Sequence, residues 1–371
     1  MYSEILNTYE VIELQNNGFT KNEWFIGSAL MGQDFSQLRE GAYFYYQETI
    51  WTKVLELESI NPYWEIYNRT DNFLLVDKGS SFEIEFLLDV LTEIKKYLAK
   101  ELEYFFVTTD PFASEILKKN KYEVISEDMP FFIGEEKVGS YLKVFAHHGQ
   151  RFVPVVDCTI FKWQGKRYFE INSNKFYLEL LEYILYKKIP AKFLQADEIF
   201  NLGMASDFSE YIDFQENIRL VSLLDCLLKL SESHEKLTGN YRGHTTKKLL
   251  KKFAVYASVT KHEIERACSV LSPSYSDFLK KELDKMKAYY PQLMAKYSKD
   301  ILRDRYGVTD LLFHHLSGDL TLTRVNHKLE NVQYFTDIPF VEQALSIEQF
   351  KATIAKIIEG KKSAKYDKIT K

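Results

Sequence analysis

The sequence predicts an α/β N-terminal half built on a mixed sheet, then a β-hairpin-containing segment, then a mostly α-helical C-terminal half. Three observations predict it. Short apolar runs alternate with helix-period stretches between residues 73 and 135. Two alternating runs flank Gln164-Gly165 between 153 and 172. From residue 213 onward, capping motifs open one helical pattern after another.

At roughly 100–200 residues per domain, a chain of 371 residues makes two or three domains. The composition shifts divide it into an α/β domain (1–138), a β-rich hairpin segment with helices (139–205), and a helical domain (206–360). The hairpin segment stands alone or joins the first domain. Residues 361–371 form a Lys-rich tail with no packing face, which is expected to fray.

The elements follow in order. The first 70 residues are aromatic-rich, and Asp34 to Ile50 reads as a helix carrying Tyr43, Tyr45 and Tyr46. Phe73-Leu74-Leu75-Val76 is a short apolar strand. Ser80-Ser81-Phe82-Glu83 reads as a capping box, in which the Ser80 hydroxyl and Glu83 carboxylate satisfy orphan N–H groups of a helix start. That helix runs to about Lys100, with Phe82, Phe86, Leu87, Val90, Leu91, Ile94 and Leu98 on one face. Tyr104 to Val107 is a second strand. Asp110-Pro111 starts a helix, because an acceptor side chain precedes a ring whose φ is already helical. The helix ends near Asn120, and strands at Tyr122 to Ile125 and Met129 to Ile133 follow.

In the hairpin, Gly165 supplies the positive φ of a two-residue turn. Helices near 174–188 and 192–200 come next. Asp213-Phe214-Gln215-Glu216 caps an apolar helix through Leu220, Leu223, Leu224, Leu227 and Leu228. Thr260-Lys261-His262-Glu263 caps another, and Ser272-Pro273 breaks it from the next. Ser346 to Gln349 opens the last helix, which Gly360 closes.

Composition narrows the functional classes. A hydrophobic share of 46% suffices for a sizeable core and excludes wholesale disorder. Cys158, Cys226 and Cys268 lie far apart and form no CxxC pair, which excludes a zinc ribbon and a thioredoxin-like motif. So sparse a set points to a reducing, cytoplasmic setting. No basic segment followed by an apolar one opens the chain, so no signal peptide is expected. No apolar run approaches the roughly 18 residues of a membrane span; the best, Leu220 to Leu230, is broken by Asp225 and Lys229. The net charge is −5, yet residues 242–305 hold 15 Lys/Arg against 7 Asp/Glu. This stretch, with Lys247, Lys248, Lys251 and Lys252 on one helix, is a candidate for contacting the phosphates of DNA or RNA.

The hairpin carries a second candidate. With Gln164-Gly165 as the turn, alternation puts Asp157, Thr159, Glu170 and Asn172 on one face, and Val156, Cys158, Ile160, Phe169 and Ile171 on the other. Two carboxylates on one face of a strand pair can hold a hard cation such as Mg2+. The layout resembles the metal-binding core of the PD-(D/E)XK nucleases. That resemblance implies metal ligation by Asp157 and Glu170, with Asn172 where the family has its lysine.

The order strand, capped helix, strand, helix, strand, strand over 73–135 resembles the second half of the GNAT acyltransferase superfamily. Ala113-Ser114-Glu115-Ile116-Leu117-Lys118-Lys119-Asn120-Lys121-Tyr122-Glu123-Val124 is similar to that family's helix-then-strand passage. The resemblance implies an acyl-CoA ligand, its pyrophosphate held by Lys78, Gly79, Ser80 and Ser81 at the helix start. There, free N–H groups and the positive helix end attract phosphate. Of the family's glycine-rich loop only Gly79 remains, and Leu117 stands where a general-acid tyrosine is often found.

Three functions are therefore expected in competition. One is a GNAT-related acyltransferase. The second is a nucleic-acid-binding protein or metal-dependent nuclease of a mobile element or defence system. The third is a non-enzymatic protein-interaction module.

Overall fold

The computed structural model describes residues 1–14, 38–49, 69–126, 131–133, 137–163, 165–189, 194–195, 198–199, 215–232, 236–239, 241–259, 264–306, 308, 310–318 and 344–356. Its centre is a nine-stranded mixed sheet. The strands are β1 (Ile12–Glu13), β2 (Tyr43–Thr49), β3 (Arg69–Val76), β4 (Glu103–Thr108), β5 (Glu123–Ser126), β6 (Phe131–Ile133), β7 (Lys137–His148), β8 (Arg151–Trp163) and β9 (Lys166–Asn174). Their order is β1-β2-β3-β9-β8-β7-β4-β5, with β6 beside β7. The β1–β2 and β4–β5 pairs are parallel and the others antiparallel.

The hairpin of β8 and β9 has the register that alternation predicts: Asp157 faces Asn172, Thr159 faces Glu170 and Trp163 faces Lys166. Gly165 turns it with φ of 80°. The hairpin lies at the middle of the sheet, between β3 and β7, so strands from both sides of residue 138 share one sheet.

Two local expectations are corrected. Tyr43–Thr49 is a strand, within the span that reads as a helix from Asp34 to Ile50; residues 34–37 and 50 lie outside those described. The reason is burial on both faces. Tyr43 and Tyr45 meet Phe86 and Phe73 with ring centres 5.2 and 5.3 Å apart. Phe44 and Tyr46 bury in a separate cluster on the opposite face, a period of two that fits a pleated strand. The capping box at Ser80 does not form either. Helix α2 (Ser80–Leu98; α1 is Ser3–Thr8) has Gly79 as N-cap, at φ 82°, with no side-chain cap.

The second helix start behaves as read. Asp110 Oδ1 accepts from Ala113 N at 2.8 Å and Pro111 begins α3 (Pro111–Lys119). Among the described residues β4–α3–β5 is a βαβ unit with paired strands, whereas β9, β8 and β7 separate β3 from β4.

Helices α2, α3 and α4 (Lys175–Tyr186) bury Phe86, Leu87, Val90, Leu117, Tyr177 and Leu181 against one sheet face, in the core that also holds Phe73, Ile171 and Val144. The same core continues into the helical half. It takes in Leu220, Leu223, Leu224, Leu227 and Leu230 of α5 (Gln215–Glu232) and Leu250, Phe253, Ala254 and Ala257 of α6 (Tyr241–Val259). Then come α7 (Glu265–Val270) and α8 (Pro273–Asp284), divided at Ser272-Pro273 as expected. A π-helical turn (Lys285–Tyr289) leads into α9 (Tyr290–Met294), followed by α10 (Lys299–Tyr306) and α11 (Asp310–Leu316).

The last helix, α12 (347–356), has a formed capping box: Ser346 N donates to Gln349 Oε1 at 2.8 Å and Gln349 N donates to Ser346 Oγ at 3.2 Å. It returns to the sheet's other face, where Phe350 stacks on Phe152 at 4.0 Å. The helix read at 192–200, the motifs at 213–214 and 260–263, Gly360 and the tail from 361 lie wholly or mostly outside the described residues. No described helix is long and apolar enough to cross a membrane.

Candidate functional site

Three places in the fold bring functional groups together. The first is the turn after β3. Arg167, on β9, donates from Nε to both oxygens of Glu83 at 2.9 Å, and its Nη2 stands 2.8 Å from Glu83 Oε2 and 3.6 Å from Asp110 Oδ2. Asp77 closes the turn: its N donates to Arg167 O at 2.7 Å, and its Oδ1 accepts from Arg167 N at 3.3 Å. Burial raises the Glu83 carboxyl above its ordinary range, Arg167 opposes the rise, and Asp110 and Asp77 add to it. Lys78 lies over the Tyr43 ring, 3.9 Å from its centre. The helix start at Lys78, Gly79, Ser80 and Ser81 thus has three carboxylates beside it, and its nearest guanidinium is already engaged.

The second place is the sheet face opposite α2, α3 and α4. The ladders align Tyr46, Asn72, Asn172, Asp157 and Lys143 in one row from β2 to β7, and Thr159 and Glu170 in the next. Lys143 Nζ is 3.3 Å from Asp157 Oδ1, and the Tyr46 hydroxyl donates to Glu170. Asn172 Nδ2 donates to the Asp157 carbonyl at 3.5 Å. Asp157 and Glu170 therefore share a face, each beside a partner contributed by another strand. Among the described residues no three His, Cys, Asp or Glu cluster as a metal site. Cys158, on the opposite face, is buried, and burial pushes its thiol pKa well up, so it is a poor nucleophile.

The third place is in the helical half. Lys251, Lys285, Arg305, Tyr289, Tyr290 and Tyr306 line a cavity of about 550 Å³. Beside it Glu282, 1% exposed, accepts from the Tyr290 hydroxyl at 2.5 Å, with Lys285 Nζ at 3.5 Å and Lys251 Nζ at 4.0 Å. Burial, then Glu282, pushes the Tyr290 phenol far above its ordinary range, so it stays a donor.

The π turn explains the geometry. Pro291 lacks the N–H that an α-helix would direct at residue 287, and its ring would clash with that carbonyl; Tyr290 N bonds to Lys285 O instead. At 100° per residue an α-helix would carry residue 290 roughly 80° past residue 282. The wider turn cancels that angle, setting Tyr290 over Glu282 with Tyr289 beside it.

Of the four candidate lysines on α6, Lys251 reaches this cavity. Lys247 and Lys252 are half-buried and Lys248 is exposed on the same helix, and Lys252 lies 5.7 Å from the Tyr256 ring centre. Their joint field is felt at His244, whose pKa is lowered by burial and then by Lys248, Lys247 and Lys251. Lys285 and Arg305 fall within the basic stretch 242–305 but were not singled out there, and the tyrosines were not read as site residues. Their one sequence signal is aromatic residues interleaved with cations across 285–306.

No protein-family model matches this chain, and no curated protein matches it. Among solved structures, the apo S. aureus histidyl-tRNA synthetase is similar at a TM-score of 0.37 and 8% identity, over 50% of this chain. The matched part spans 64% of that synthetase chain.

Proposed function

We propose that this protein binds single-stranded nucleic acid through its helical half. The observation that carries the reading is the cavity between α6, the π turn and α10, whose lining combines three cations with three tyrosines. Cations that track phosphates beside rings that accept stacked bases are the two parts of a single-strand site. Lys247, Lys248 and Lys252 extend the positive surface along α6. A concave, aromatic-lined site suits an unstacked base better than a duplex groove. The turn at 78–81 offers an acyl-CoA pyrophosphate less, because Asp77, Glu83 and Asp110 stand beside it.

The test is fluorescence anisotropy with labelled single-stranded DNA, single-stranded RNA and duplex, titrated from about 50 to 200 mM salt. Single strands are expected to bind more tightly, with log affinity falling by about 0.7 per neutralised phosphate for each unit of log salt. Tyr289→Ala is expected to lose about 1–3 kcal/mol of binding, the worth of one stacked base. Reversing Lys247, Lys248, Lys251 and Lys252 to Glu should abolish binding. Salt-independent binding, or full binding by the reversed variant, would overturn the reading.

A further inference from the structure

The cations of the helical cavity are gathered in one place but not saturated. An ammonium carries three donors and a guanidinium five. Lys285 Nζ stands 3.5 Å from Glu282 Oε2, and Lys251 Nζ stands 4.0 Å from Glu282 Oε1. Both distances lie beyond the roughly 3.2 Å limit of a good hydrogen bond. Glu282 Oε1 is taken by the Tyr290 hydroxyl at 2.5 Å, and among the described residues its Oε2 has no hydrogen-bond partner. The buried carboxylate thus holds two ammoniums together by charge and leaves their donors unused. Arg305, on α10, is exposed and has no ion-pair partner among the described residues. Three cations of the lining stand against Glu282 alone, and three positive charges less one leave a surplus of two.

We propose that this cavity takes the phosphorylated end of a nucleic-acid strand, the terminal phosphomonoester together with its nucleotide. The inference rests on the nucleic-acid reading above and narrows it. Charge favours an end over the interior of a strand. An interior phosphodiester carries a single negative charge. A phosphomonoester carries about −1.5 to −2 at neutral pH, with three strong acceptor oxygens. Three unsaturated cations with a surplus of two complement the second. The Arg305 guanidinium can span two of those oxygens as a fork, and the lysines act as point charges on the third. Size agrees. A cavity of about 550 Å³ suits one small molecule, whereas a site tracking a strand interior covers roughly 4–16 nucleotides. Tyr289 is 46% exposed, so its ring is available to stack the terminal base. Lys247 and Lys248 lie one helical turn before Lys251 on α6, a path for the strand as it leaves.

The experiment is fluorescence anisotropy with the full chain. One labelled single strand of fixed sequence is used with a 5′ phosphate, with a 3′ phosphate and with neither, and adenosine monophosphate is the competitor. A phosphorylated form is expected to bind roughly tenfold to a hundredfold more tightly than the unphosphorylated strand. Adenosine monophosphate should compete only at far higher concentration, because it lacks the contacts along α6. Arg305→Gln and Lys285→Gln, both at exposed positions, should each weaken the phosphorylated strand more than the unphosphorylated one and so narrow the ratio. Equal binding of all three strands would overturn the end-binding proposal and leave the nucleic-acid reading standing. Binding by none of them would overturn that reading and the proposal with it. Adenosine monophosphate binding as tightly as the strand would overturn the proposal in favour of a free mononucleotide. A preference that survives both substitutions would place the phosphate outside this cavity and overturn it too.

Discussion

Arg167→Leu tests the electrostatic logic of the turn after β3. The guanidinium is the cation facing two carboxylates whose side chains are 1% and 6% exposed, those of Glu83 and Asp110. Removing it leaves both desolvated and takes three short contacts from Glu83. Breaking one side of a buried pair costs about 3–5 kcal/mol. The pH dependence has a definite sign. The folded-state pKa of Glu83 already lies above its ordinary 4.5, so ionising Glu83 lowers stability as pH rises from that value through the folded pKa. Without Arg167 the folded pKa climbs further, and the deficit is greatest at neutral pH and shrinks on acidification towards 4.5. Urea unfolding followed by circular dichroism, near neutral pH and at about pH 5, measures both effects. The double variant Glu83→Leu/Arg167→Leu should recover most of the loss, because a buried pair replaced by apolar groups is close to neutral. A single-variant deficit below about 1 kcal/mol, or one that does not change with pH, would refute the reasoning.

Other perturbations test the rest of the fold and the cavity. Tyr290→Phe removes the hydrogen-bond donor to buried Glu282 and should cost about 1–3 kcal/mol in urea unfolding; an unchanged midpoint would show that Lys285 and Lys251 suffice. Pro291→Ala restores the missing N–H, so the π turn should relax to α-helix and rotate Tyr290 off Glu282. Anisotropy should then report weaker nucleic-acid binding, and unchanged affinity would show that the turn does not build the cavity. Ser346→Ala opens the capping box of α12 at a cost of about 0.5–2 kcal/mol. Hydrogen exchange should be faster in 347–356, with the remaining sheet unaffected if the helix docks as a separate unit.

The sequence by itself determined what depends on neighbours along the chain. The hairpin register around Gly165 followed from alternation and turn chemistry, and with it the shared face of Asp157, Thr159, Glu170 and Asn172. The start of α3 at Asp110-Pro111, the break at Ser272-Pro273 and the cap at Ser346 were equally local. Tertiary structure decided the rest. Glu83 gave up a local cap for an arginine 84 residues away, since a guanidinium in a desolvated site outweighs one exposed backbone N–H. The stretch Tyr43–Thr49 became a strand because partners on two faces were waiting for alternate aromatics. Tyr46 meets Glu170 across 124 residues, and Lys143 meets Asp157 through strand order that no local pattern encodes. The cavity of the helical half depends on the angle that Pro291 imposes and on where α6 and α10 cross it. Spacing along a chain reports which side chains share a face; which faces meet is settled only by how the whole core packs.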